Sequence, residues 1–451
     1  MSHHPSGSGV RRSHLFLLLV CAAVLAPRPA AAFEILTRDK DARFAHDASG
    51  GGWAHVRIGA DRALQDLNDP RCPAVSKIRV SSYKDNRVVG EPLAELPCSE
   101  WRKIPGGFLY SDPSGSIAGI EKVRYTTRGL EVYASAPGHT PVVGPIGFAQ
   151  LNFEIDGRRF IARFHNFLRN DGIAVVAKRP SRAAADGEAA FWDTLGGVNR
   201  DLEALDLLNR ATQQDPRDGR SHFLTGMMHL QRFERIDADP RHASDAGRLE
   251  LIQGLQAFDR ASPLLWDGVR GDSRAPGFAS AALYKKGVAF DEPDVEARGF
   301  AAMAGAADIN PLFNGFIPFG AGPIASPDSP EYALVLHLLD DVFPTLFADC
   351  VGQDEICFNG GLAPHNLEGT FVLSGDLYTK AGRIEEAQRY YENAADAGEI
   401  AGWNPTFVAR ARNLAATAPE RATLYANADP DDDPPFTDLG GAGNCAYCHN
   451  Q

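Results

Sequence analysis

Past residue 32 the chain has no stretch long and apolar enough to cross a bilayer, which takes about 20 consecutive apolar residues. The body of the protein is therefore expected to lack a transmembrane segment. Basic residues are also in short supply, with 45 Lys and Arg against 58 Asp and Glu and a formal net charge of −13. That balance argues against nucleic acid or anionic lipid as a partner, because both are held by an excess of cationic side chains. A basic partner fits better. No phosphate-binding loop, His-Glu-x-x-His pair or Ser-His-Asp arrangement stands out, so no motif argues for an enzyme. Cysteine is sparse, at seven in 451 residues, and where the seven fall matters more than their number.

What the chain does have begins at its N-terminus. Arg11-Arg12 precede an apolar run from Leu15 to Leu25, and Ala30-Ala31-Ala32 follow. This is the charged, hydrophobic, small-residue order of a secretory signal peptide. The run is too short for a membrane anchor, and Pro27 and Pro29 come directly after it. Cleavage near Ala32 is expected, giving a periplasmic or secreted chain. A twin-arginine signal at Arg11-Arg12 and a lipoprotein cysteine at Cys21 fit their surroundings less well. Loss of residues 1–32 removes Arg11, Arg12 and Arg28 and no acid, taking the formal charge from −13 to −16. Six cysteines remain: Cys72, Cys98, Cys350, Cys357, Cys445 and Cys448. An even count in an oxidising compartment points to pairing. Cys72 with Cys98 and Cys350 with Cys357 are the economical pairs, although spacing alone leaves connectivity open. The 32-residue leader leaves 419 of 451 residues, more than one hydrophobic core organises, so two or more domains are expected.

From Phe33 to about Ala177 apolar residues alternate with polar ones between turn signals, as antiparallel strands with one buried face require. Leu151, Phe153 and Ile155 alternate with Asn152 and Glu154, Asp156-Gly157 supplies a tight turn, and Phe160, Ala162 and Phe164 resume the alternation. Val123 and Tyr125 precede a second turn at Thr127-Arg128-Gly129, with Leu130 and Val132 after it. Ile78 and Val80 mark a further strand near Cys72. Residues 33–182 are read as a β-sandwich-like domain, or a barrel-like one, of unassigned topology. Ala183-Ala184-Ala185-Asp186-Gly187 looks like a linker or a helix entry, and beyond it the apolar period lengthens to that of helices.

Within residues 188–426, Phe371, Gly375, Tyr378, Ala387, Tyr391 and Ala394 carry small and aromatic residues at the spacing of paired helices. This segment resembles a tetratricopeptide repeat, without the usual terminal proline. A partial copy reads Ala204, Leu208, Ala211 and Pro216 and leads into His222, Gly226 and His229, with Gly254, Phe258 and Ala261 completing it after an insertion near Asp237 to Asp245. The pattern stays helical through Ala301-Ala302-Met303 and Tyr332-Ala333-Leu334 without fitting the repeat. The resemblance implies an α-helical solenoid, because a helix pair alone buries too little apolar surface. The expected fold class is thus α+β multidomain, an antiparallel β-sandwich-like domain followed by a tetratricopeptide-like helical domain.

Residues 427–451 form an acidic, proline-rich strap that opens with Asp429-Pro430-Asp431-Asp432-Asp433-Pro434-Pro435. It ends in Cys445-Ala446-Tyr447-Cys448-His449. Two thiols at this spacing reach the two vinyl groups of a porphyrin, and the histidine directly after them reaches the iron. Over its last ten or so residues the chain resembles the haem-binding segment of c-type cytochromes. The resemblance implies one covalent haem c on Cys445 and Cys448, with His449 as an axial ligand, and an electron-transfer role. Unlike those cytochromes, only Asn450 and Gln451 follow the motif. A pocket and a sixth ligand must therefore come from elsewhere. Phe436 and Leu439 are candidates to cover one porphyrin edge. For the iron, His365 is the first candidate, beside Met227, Met228, His222, His229 and His337. Each has a plainer role available: core packing for the helical residues, and helix capping or a surface position for His365. An open sixth site would permit peroxidase-type chemistry. The motif itself has other readings, as a small disulfide, a thiol redox pair or part of a zinc site. The reading is an exported c-type haem protein whose helical surface docks protein partners. Its rival is a haem-free exported scaffold with a terminal disulfide.

Overall fold

The computed structural model describes residues 33–434 apart from 39, 47–51, 62–63, 85–86, 91–93, 136–143, 157, 196–197, 238, 269–270, 316, 345–366, 402–404 and 428–431. The described residues of the N-terminal part hold fourteen strands: β1 (Phe33–Leu36), β2 (Lys40–His46), β3 (Gly52–Ile58), β4 (Ser76–Lys84), β5 (Arg87–Gly90), β6 (Ala94–Leu96), β7 (Trp101–Ile104), β8 (Gly107–Ser111), β9 (Ile120–Thr126), β10 (Gly129–Ser135), β11 (Phe148–Ile155), β12 (Arg158–Phe164), β13 (Phe167–Asn170) and β14 (Ala174–Ala177). They form two sheets. One runs β1-β12-β11-β4-β5, with β6 also on β4, and the other runs β13-β14-β2-β3-β10-β9-β8-β7.

The alternating residues set the registers. Phe153 faces Phe160 and Ile155 faces Arg158 across the β11–β12 hairpin, whose turn carries Asp156 at φ +48. Tyr125 of the second sheet meets Phe153 of the first at 5.2 Å between ring centroids, so the inner faces share one apolar core that also takes in Phe44, Val56, Val80 and Leu151. Cys72 and Cys98 are joined by a disulfide, with Cα atoms 4.9 Å apart; this is one of the two economical pairs. Among the described residues the expectation of antiparallel pairing fails at a single place, where β1 runs parallel to β12 with Phe33 opposite Arg159. A parallel pair needs a long crossover, and here most of the β region lies between the two strands.

Among the described residues ten helices follow: α1 (Arg182–Leu195), α2 (Asp201–Gln214), α3 (Gly219–Ile236), α4 (Asp245–Leu265), α5 (Arg274–Ala289), α6 (Pro293–Ile309), α7 (Pro330–His337), α8 (Leu367–Lys380), α9 (Ile384–Ala401) and α10 (Pro405–Tyr425), with a short helical turn at Pro311–Asn314. Ala183 to Gly187, read as a linker or a helix entry, lie in the first turns of α1. Ala184, Ala185 and Gly187 are buried, and a Cβ on Gly187 would stand 3.0 Å from Leu208, so the stretch is a packing face. Each helix packs chiefly on its neighbours in sequence. Gly226 of α3 lets Phe258 of α4 approach to 2.7 Å of where a Cβ would be, and Gly375 of α8 does the same for Tyr391 of α9 at 2.5 Å. The small residues singled out by spacing are therefore close-approach points between helices.

Candidate functional site

Cys445, Cys448, His449 and His365 lie outside the described residues, as do Cys350, Cys357, Phe436 and Leu439. The remaining iron-ligand candidates are not brought together. His222 and His229 both sit on α3 and both have partners: the His222 Nε2 is 3.2 Å from the Pro216 carbonyl, and the His229 Nδ1 is 2.7 Å from Glu250 Oε2. Glu250 also accepts from Arg232 Nε at 2.9 Å. Met228 is fully buried in an apolar cluster with Phe223 and Phe258, and Met227 packs partly against the same cluster. His337 lies on the surface, 2.8 Å from Asp341. Among the described residues no three His, Cys, Asp or Glu side chains gather in a way that could hold a metal ion.

A different cluster, which spacing along the chain gave no reason to assemble, lies at the seam between the strands and the helices. Lys40 begins β2, Glu188 lies on α1 and Arg220 stands in the first turn of α3, with side chains only 6–7% exposed. The Lys40 Nζ donates to Glu188 Oε2 at 2.9 Å. Arg220 donates to Glu188 Oε1 through Nε at 3.2 Å and Nη2 at 2.9 Å. The strands add Arg163, whose Nε donates to Gln150 Oε1 at 2.7 Å and whose guanidinium lies over Trp192 of α1 at 5.9 Å. His165 follows β12, its ring 5.6 Å from Phe148. Phe148 also carries the Arg274 guanidinium at 4.6 Å, and Arg274 pairs with Asp272. Asp218 caps α3 by accepting from Ser221 N at 3.0 Å and takes a further bond from Asn166 Nδ2 at 2.7 Å.

A cleft of about 30 Å³ opens in this seam, lined by Lys40, Arg163, His165, Lys178, Glu188 and Arg220 among others. Burial raises the Glu188 carboxyl, but Lys40 and Arg220 outweigh it and hold the group down at about 2. Burial lowers the Lys40 ammonium against the pull of Glu188. His165 is held well below its ordinary value, first by burial and then by Arg220, Arg274, Lys40 and Arg163, so its imidazole is neutral near pH 7. Burial and the neighbouring Arg220 and Arg274 press on Arg163 in the same sense; a guanidinium stays protonated in proteins regardless. The arrangement can fix the strands to the helices, and it can present hydrogen-bond donors to a negative group.

No protein-family model matches the chain, and no curated protein matches it by sequence.

Proposed function

We propose that this is an exported protein carrying one haem c, bonded to Cys445 and Cys448 with His449 on the iron, at the end of a strap that follows a partner-docking helical scaffold. The observation that carries the reading is Cys445-Ala446-Tyr447-Cys448-His449 in a chain that opens with the residue order of a secretory leader. When bound, the haem supplies a one-electron iron centre. The chain's own residues supply the two thiols, the axial imidazole and an acidic strap, with His365 the first candidate for the sixth position.

The scaffold half of the proposal is supported by the helix packing. Close neighbour-on-neighbour contacts at Gly226–Phe258 and Gly375–Tyr391 suit a tetratricopeptide-like solenoid, whose stacked pairs leave an extended face for proteins. The Cys72–Cys98 disulfide suits an oxidising compartment. Among the described residues no helix is long and apolar enough to cross a membrane.

The test is a peroxidase-activity haem stain of the denatured protein, made with its leader in a host that matures c-type cytochromes. A stained band that disappears in the Cys445→Ala, Cys448→Ala double variant is the expected result. An unstained band from correctly exported protein would leave the haem-free scaffold with a terminal disulfide.

A further inference from the structure

Burial makes the seam cleft unlike an ordinary surface ion cluster. Its lining gathers Lys40, Arg163, Lys178 and Arg220 against Glu188 and Asp218, an excess of cations in a place where unpaired charge is costly. Donor capacity remains after the internal partners are counted. The Lys40 Nζ uses one of its three N–H groups on Glu188, and Arg220 engages Glu188 through Nε and Nη2, leaving Nη1. His165 lines the same cleft with its side chain 2% exposed, and among the described residues neither of its ring nitrogens has a hydrogen-bond partner. The Asp272 Oδ2 is 3.9 Å from its Nδ1, beyond hydrogen-bond reach. Buried polar atoms are nearly always bonded to something, and a neutral imidazole has one N–H to give.

We propose that this cleft binds a small oxyanion, a phosphate or carboxylate group, on Lys40, Arg220 and His165. The chemistry favours an anion over a metal ion because the side chains that converge are mostly donors, and the two lining carboxylates are already engaged, Glu188 by Lys40 and Arg220 and Asp218 by Ser221 and Asn166. The interior of about 30 Å³ holds one or two water-sized bodies, which suits the charged end of a ligand and excludes an aromatic body. A structural latch alone would leave the His165 nitrogens bonded to protein and Lys40 and Arg220 without spare donors. Here they face a shared cleft at the junction of two regions, a frequent place for ligand sites.

The inference is independent of the haem and is tested on the full exported chain by titration calorimetry with inorganic phosphate, and separately with acetate, each against sodium chloride at matched ionic strength. Saturable one-to-one binding of either anion, with a melting temperature that climbs with its concentration, is expected; the phosphate and acetate arms tell which group is preferred. Arg220→Gln should weaken binding about tenfold or more. His165→Phe guards against a folding defect, because it keeps the ring contact with Phe148 and removes the two unbonded nitrogens. It should fold at least as well as the native chain and lose affinity by about the same factor. Neither anion binding beyond the chloride control, or His165→Phe binding as the native chain does, would overturn the proposal.

Discussion

The two regions of the molecule bury their apolar surface in different ways. In the strands one continuous cluster runs from Leu36 to Ala177 and draws on both sheets. In the helices the described residues divide into four smaller clusters, the largest around Tyr332, Tyr378 and Tyr391. A sheet pairs residues far apart in sequence, so its core closes all at once. Stacked helices are satisfied by their neighbours, so each cluster holds by itself and damage stays near its source. The seam of Lys40, Glu188 and Arg220 is where the two regimes are joined.

Phe153→Ala should have the largest effect. Phe153 is 1% exposed, between Tyr125, Trp101 and Phe160, and truncation there costs about 3–5 kcal/mol. Chemical denaturation should show the whole strand signal lost earlier while the helical signal moves less. Equal shifts in both would show that strands and helices unfold as one unit. Glu188→Gln should follow, at about 3 kcal/mol, because it leaves buried Lys40 and Arg220 facing a neutral amide. In calorimetry the strand and helix transitions should separate in this variant. If they keep their native spacing, the seam does not couple the regions.

Gly375→Ala should cost about 1–3 kcal/mol through the new Cβ at 2.5 Å from Tyr391 Cε1, with the strand transition unmoved. Gly305→Ala, on exposed helix surface with nothing within 4 Å, should instead gain up to about 1 kcal/mol. Urea melts of the pair followed at a helix wavelength check both signs.

The smallest expected effect is on pH dependence. The folded chain keeps His165 neutral beside Arg220, Arg274, Lys40, Arg163 and Asp272, well below the ordinary 6.5. On acidification below that value the unfolded chain takes up a proton that the folded chain refuses, so stability falls. Glu188, held at about 2 against an ordinary 4.5, contributes stability above pH 4.5 that is lost as pH falls from there towards 2. His165→Phe should flatten the part of the stability profile just below pH 6.5 and leave the Glu188 window in place. A profile unchanged by His165→Phe would show that other groups set it.

The hairpin at Asp156 was legible because alternation and a turn pair are local signals, and the same holds for Thr126 opposite Gly129 between β9 and β10. Gly226 and Gly375 were legible because close packing of helices needs small residues at fixed spacing. The parallel β1–β12 pair was not, since nothing near Phe33 names Arg159 as its partner. The seam was hidden for the same reason: Lys40 and Glu188 are 148 residues apart, and each looks like an ordinary surface charge. One faint signal existed. Gln150 and Arg163 fall on the polar face of the clearest hairpin, yet they are 1% and 3% exposed, because Trp192 of α1 lies over Arg163. Alternation reports which face meets the apolar core, and it cannot report that a helix covers the other face.

The proposed covalent haem on an exported chain is checked by the intact mass of the protein recovered from the exported fraction under denaturing, reducing conditions. The expected species begins at Phe33 and is heavier than its sequence by one haem, with that increment lost in the Cys445→Ala, Cys448→Ala variant. A chain of the bare sequence mass, whose Cys445 and Cys448 take up a thiol reagent after reduction, would contradict it.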